Sequence, residues 1–177
     1  EVQEKASFIA EFAQATLPNV LVDIGCNSGD YSKAALKGGT KTVIGLEADP
    51  VAVDCAFKRA VEGNLNFLPL YQNVVNPTTA KGWMGKEREG LSSRLNADAV
   101  IALAVIHHIV FSGHVPLDQA LEWLIGIAPV GVIEFVPPDD PMIKRLLAFR
   151  KGDVHEYSYE LFMFVLERSA SVVKTKV

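Results

Sequence analysis

Residues 20–30 read Val20-Leu21-Val22-Asp23-Ile24-Gly25-Cys26-Asn27-Ser28-Gly29-Asp30. Five residues that suit a buried strand run into a short polar turn between two glycines, and a helix-forming stretch follows over 30–37. Glycines there let the backbone approach a ligand, and the first turn of the next helix supplies free N–H groups. A dinucleotide site wants G-x-G-x-x-G, whereas Gly25 and Gly29 fall only in a G-x-x-x-G frame. No G-K-[ST] phosphate loop follows either. The strand–turn–helix unit itself is how an α/β domain with a mostly parallel sheet begins.

The rest of the chain keeps that rhythm. A helix over 8–13 precedes the unit and ends at Pro18-Asn19. A second strand is expected over 42–47, a helix over 50–62 opened by Asp49-Pro50, and a weaker strand over 66–70. Asp49 reads as the cap of that helix. The wholly apolar run 99–104 suits a strand covered on both faces. A helix over 116–127, a strand over 130–136, and helices over 141–149 and 157–168 follow, with a last strand over 171–177. Residues 72–97 break the alternation, being longer than the ~12–15 residues of ordinary loops and carrying Trp83 among Lys81, Lys86, Arg88 and Arg94. They read either as a solvated surface helix or as a lid that contacts substrate.

Composition narrows the function classes. At 177 residues, 49% apolar and 21% charged, the chain suits one soluble domain spanning 1–177. Cys26 and Cys55 cannot build a disulfide framework, which fits a reducing, cytoplasmic location. The longest apolar run, 99–106, falls far short of the ~18–20 residues of a membrane helix. The opening EVQEKASF lacks the basic start of a secretory signal. A net charge of −4 makes long nucleic acid a poor partner.

Glu47 ends the second strand, 22 residues past Gly25 (47 − 25). A doubly wound nucleotide-binding fold presents a carboxylate to ribose hydroxyls at that place. A carboxylate accepts from both hydroxyls at once, which fixes a nucleoside more firmly than one neutral partner would.

Together VLVDIGCNSGDYS, VIGLEADP and ADAVIALAVIHHI resemble the glycine turn, ribose acid and fourth strand of class I S-adenosylmethionine-dependent methyltransferases. More narrowly, GVIEFVPPDDPMIKRLL, with GW and ER pairs in the long segment, is similar to bacterial methyltransferases related to the nodulation protein NoeA. The resemblance covers 18–150 and implies a Rossmann-like, doubly wound, mostly parallel sheet flanked by helices. It implies S-adenosyl-L-methionine as cofactor and methyl transfer to a small or medium acceptor. By position, Asp23, Gly25 and Gly29 would surround the methionine end, Glu47 the ribose, and Asn73 the adenine amino group. Asn73 stands where the family usually has an acid, and an amide can accept and donate there. Asn27 replaces the commoner middle glycine, and asparagine is well tolerated where φ is positive. The resemblance further implies a closing strand hairpin beside the fifth strand. In 1–177 its final strand is absent, so either the full protein carries that strand or a partner covers the edge.

A sulfonium is an activated methyl donor, so the protein must align the acceptor and exclude water. A base is needed only if the acceptor keeps its proton at neutral pH. His107 and His108 end the fourth strand on the ligand side, and as neighbours on a strand only one would reach the pocket. Each is a candidate base or acceptor-orienting group, and each could equally bond a loop or pack. Glu134, inside the fifth strand, is expensive to bury unpaired. It reads as the partner of a buried arginine or backbone donors, or as a contact to a substrate amine or hydroxyl. Asp139 and Asp140 read as caps of the next helix, and Cys26, with no histidine at a recognisable spacing, as packing. Rivals to the enzyme are a non-catalytic S-adenosylmethionine-binding module and an NAD oxidoreductase, the latter disfavoured by the missing G-x-G-x-x-G.

Overall fold

Four of the five residues of β1 (Val20–Ile24) are buried, as a strand covered on both faces requires. β1 is the middle of a five-stranded, all-parallel sheet of order β3-β2-β1-β4-β5. The computed structural model describes residues 2–147 and 157–176. The other strands are β2 (Thr42–Glu47), β3 (Phe67–Tyr71), β4 (Ala99–Ala102) and β5 (Val130–Ile133). The helices are α1 (Val2–Thr16), α2 (Asp30–Lys37), α3 (Pro50–Glu62), α4 (Leu91–Arg94), α5 (Leu117–Ile125), α6 (Pro141–Leu147) and α7 (Tyr159–Ser169). This is the doubly wound α/β architecture expected from the sequence.

Successive strand residues feed opposite cores, the period of two that a pleated strand imposes. Leu21, Ala99 and Ile101 pack with Ile9 and Ala13 of α1 and with small residues of α2 and α3. Val22, Ile24, Val100 and Ala102 pack with Leu121 and Leu124 of α5 and Phe162 and Val165 of α7. Pro69, which cannot donate to a ladder, sits on the edge strand β3 opposite Gly45. The register sets Ile24 against Leu46 and Ala102, so β1, β2 and β4 end together. That shared end carries the site. No described helix is long and apolar enough to cross a membrane.

Local capping follows the residue types. Asp49 Oδ1 accepts from the N–H of Val51 at 2.8 Å, with Pro50 first in α3. Asp140 does the same for α6, accepting from Met142 N–H at 2.8 Å and Ile143 N–H at 3.4 Å.

Four expectations are corrected. β4 stops at Ala102 rather than 104, and β5 at Ile133 rather than 136. Residues 72–97 do not form a surface helix: they hold a 3₁₀ turn (Trp83–Gly85), the single turn α4 and an antiparallel bridge from Lys81 to Arg88. Positive φ at Gly82, Met84 and Gly85 (83°, 55° and 70°) interrupts any helix there. Residues 171–176 form no strand; Lys174 turns to α1, pairing with Glu11 at 3.2 Å and lying over the Phe8 ring at 5.2 Å. Among the described residues β5 therefore pairs with β4 alone. Residues 148–156 lie outside the described residues, among them 148 and 149 of the expected helix over 141–149, and His155.

Candidate cofactor and acceptor site

The turn after β1 reverses tightly because three of its five residues are left-handed: Gly25 (φ 71°), Asn27 (φ 47°) and Gly29 (φ 85°). The asparagine thus sits in the conformation expected of it. Gly25 and Cys26 both donate to Leu46 O, at 2.8 and 3.2 Å, which ties the turn to the end of β2. Gly25 has a second constraint, since a Cβ there would lie 2.9 Å from Val105 Cγ2. Cys26 is buried against Gly45 and Phe67, the packing role expected of it.

Glu47 ends β2 beside this turn. Its Oε2 accepts from Asn27 N–H at 2.9 Å, and its Oε1 accepts from Ala48 and Asp49 N–H at 2.7 and 2.9 Å. Three backbone donors hold a half-buried carboxylate at the mouth of the turn, ready to accept from a diol. Asn73 lies two residues past β3, exposed, its Oδ1 accepting from Val75 N–H at 3.0 Å. Tyr71 is the register partner of Glu47, which puts Asn73 at the same end of the sheet.

Asp23 lies below the turn rather than on it. Only 2% of it is exposed, and its Oδ2 accepts from Ser32 Oγ at 2.6 Å. Burial pushes its carboxyl up to about 7, the Ser32 bond pulls against that, and the charge of Glu47 adds to it. Ser32 escaped the sequence reading. The signal was available: Ser32 and Ala35 share the inward face of α2, so a hydroxyl there needs a buried partner.

The histidines depart from the strand geometry expected of them. His107 and His108 stand on a helical turn that continues as a π-type turn (His108–Ser112), with ring centroids 4.3 Å apart. His107 is buried, and its Nδ1 has no partner among the described residues. Burial holds its imidazole down at about 4, with His108 adding and Asp140 opposing. His108 is exposed; desolvation lowers its pKa and the charge of Glu47 opposes that shift. Both rings are therefore neutral at physiological pH. Of the two, His108 is the exposed ring.

Glu134 follows β5 directly, and its partners are backbone and lysine rather than a buried arginine. Its Oε2 accepts from Ala104 N–H at 2.9 Å and its Oε1 pairs with Lys5 Nζ at 2.8 Å. The backbone donor is one of the partners the sequence suggested, whereas Lys5, 129 residues earlier (134 − 5), belongs to no recognisable spacing. Among the described residues no group of three His, Cys, Asp or Glu could hold a metal ion.

Comparison with known proteins bears on the chain as a whole. No family model matches the chain. Over 170 residues, 96% of the chain, the sequence is 44% identical to the nodulation protein NoeA of Rhizobium meliloti (strain 1021). The chain is therefore similar to one part of NoeA. It spans 36% of the length of that protein. The bifunctional kinase-methyltransferase WbdD superposes with a TM-score of 0.56 at 17% identity, covering 90% of this chain and 32% of WbdD. The N-terminal domain of EvdMO1, crystallised in the presence of SAH and D-fucose, superposes with a TM-score of 0.52 at 18% identity. That match covers 71% of this chain and 48% of the EvdMO1 chain. The chain thus shares its fold with these solved structures.

Proposed function

We propose that this chain binds S-adenosyl-L-methionine against the Gly25–Gly29 turn and transfers its methyl group to a small or medium acceptor. The observation that carries the reading is the Glu47 carboxylate, held beside the turn by three backbone N–H groups at 2.7–2.9 Å. EvdMO1, similar in fold, was crystallised with the demethylated product of that cofactor.

The donor set fits the cofactor piece by piece. Glu47 accepts from the ribose hydroxyls, as a carboxylate at the end of β2 is suited to do. Asn73, at the same end of the sheet, accepts from the adenine amino group through its oxygen and donates through its nitrogen. The turn of Gly25, Asn27 and Gly29, with Asp23 beneath it, takes the methionine end, where a buried carboxylate favours an ammonium. The cofactor supplies an activated methyl group when bound. What remains for the chain is to align the acceptor, keep water out and remove a proton where the acceptor has one. His108, neutral and exposed, takes that proton, and the buried His107 packs against its ring.

Titration calorimetry with S-adenosylmethionine, S-adenosylhomocysteine and NAD tests the reading. Binding of the first two without NAD is the expected result. Binding of NAD alone, or of none of the three, overturns it.

A further inference from the structure

Ala104, two residues beyond β4, has φ of +50°, a conformation in which residues with a Cβ are uncommon. Its side chain is exposed, so no packing of the methyl group accounts for that backbone. The bond that does is the one from its N–H to Glu134 Oε2, at 2.9 Å. The backbone N–H of Glu134 also donates to Ala102 O, at 3.0 Å, so one residue grips the chain on both sides of Leu103 as it leaves β4. Lys5, from the first turns of α1, balances the carboxylate at 2.8 Å, with both side chains about a quarter exposed (26% and 22%). Immediately after Ala104 comes Val105, the residue packed against Gly25, and then the His107–His108 pair.

We infer that Glu134 is a positioning residue: its carboxylate, balanced by Lys5, holds Ala104 left-handed and thereby seats Val105 on the glycine turn and aims the two histidines. It does so without touching the substrate. A charged acceptor suits the task better than an amide, because hydrogen bonds to carboxylates are shorter and stronger. Through Lys5 the start of α1 becomes part of the support of the site. The inference rests on the glycine turn being the cofactor site, but the backbone clamp can be measured without any ligand.

The test uses Glu134→Gln, Glu134→Ala, Lys5→Ala, Ala104→Gly and the double variant Glu134→Ala/Ala104→Gly. Hydrogen exchange of the ligand-free protein follows the amides of residues 103–107, and calorimetry follows S-adenosylhomocysteine. In Glu134→Ala, exchange at Ala104 should rise and affinity should fall by about tenfold each, as expected for a lost charge-assisted bond. Glu134→Gln and Lys5→Ala should lie between that variant and the wild type. Ala104→Gly should restore most of the loss, since glycine adopts positive φ freely. That rescue is the reading a merely structural role of Glu134 would not give. Wild-type exchange at Ala104 in Glu134→Ala overturns the inference, as does a folded double variant with no rescue. Should Glu134→Ala fail to fold, unchanged exchange in Glu134→Gln and Lys5→Ala overturns it instead. If the wild type does not bind S-adenosylhomocysteine, the cofactor reading fails, and the ligand-free exchange series still decides on the clamp.

Discussion

Measured against the wild type, Asp23→Asn should gain stability steadily as pH rises from about 4 to about 8. The carboxyl is 2% exposed, and burial lifts it to about 7 from an ordinary 3.8. Between those two values the native state still holds the proton that the unfolded chain has already released. Stability therefore falls as pH rises through that window, at 1.36 kcal/mol per pH unit for one proton. Three units amount to roughly 4 kcal/mol lost by about pH 8. Asparagine has no charge to desolvate and keeps an oxygen for the Ser32 hydroxyl, 2.6 Å away. Its extra N–H groups add an offset that does not depend on pH. His107 acts in the opposite sense: with its imidazole held at about 4, stability rises as pH climbs toward 6.5. That contribution is common to both proteins and cancels in their difference. Urea unfolding of the pair across about pH 4–8 measures it. A difference that stays constant, or shrinks toward the alkaline end, would refute the account of Asp23.

Glu47→Ala should lower affinity for S-adenosylhomocysteine by about 10–150-fold, the loss of one charge-assisted bond worth ~1.5–3 kcal/mol; unchanged affinity in a folded variant would remove the ribose assignment. Gly25→Ala places a Cβ 2.9 Å from Val105 Cγ2 at a φ of +71°. It should cost about 1–2 kcal/mol and abolish cofactor binding, as melting and calorimetry would show. Hydrogen exchange across 72–97 should slow when cofactor and acceptor are both present if the segment closes over them, whereas equal protection in every state would mark it as a fixed surface. Trp83, 80% exposed, should be replaceable by alanine within about ±0.5 kcal/mol of stability, so any effect of Trp83→Ala on turnover would report substrate contact.

Much of the fold was legible because the central strands carry unmixed signals. Val20 to Ile24 and Thr42 to Glu47 are bounded by proline, glycine and capping residues, so their limits agree with the structure to the residue. Positive φ at Asn27 and the cap at Asp49 follow from side-chain chemistry that acts locally. The ends of β4 and β5 were not legible for the opposite reason. Leu103 and Ala104 continue the apolar run, and what ends the strand is Glu134, 30 residues away. No window of sequence contains both residues. The same holds for His107 and His108, whose facing depends on the turn that Ala104 begins. In 171–176 the alternation was real, but Lys174 finds Glu11 and Phe8 on α1, more than 160 residues earlier, instead of a strand.

The order of the sheet has a consequence for how the chain gets there. β1 meets β2 after a short excursion, Val20 opposite Thr42 (42 − 20 = 22). It meets β4 only after the whole of α2, β2, α3, β3 and the long segment, where Asp98 Oδ2 accepts from Val20 N–H, 78 residues away in the chain. Closing the larger loop costs about 1 kcal/mol more by the (3/2)RT ln n rule. The β1–β2 seam is thus the cheaper one to close, and the β1–β4 seam the natural late event. Substitutions along 20–47 should then slow folding, and those at Asp98 or Glu134 should chiefly hasten unfolding, a split that a chevron series resolves. The glycine turn and Glu47 belong to the early half, and the histidines and their clamp to the late one. A chain stalled between the two would carry the glycine turn and Glu47 before His107 and His108 had been seated beside them.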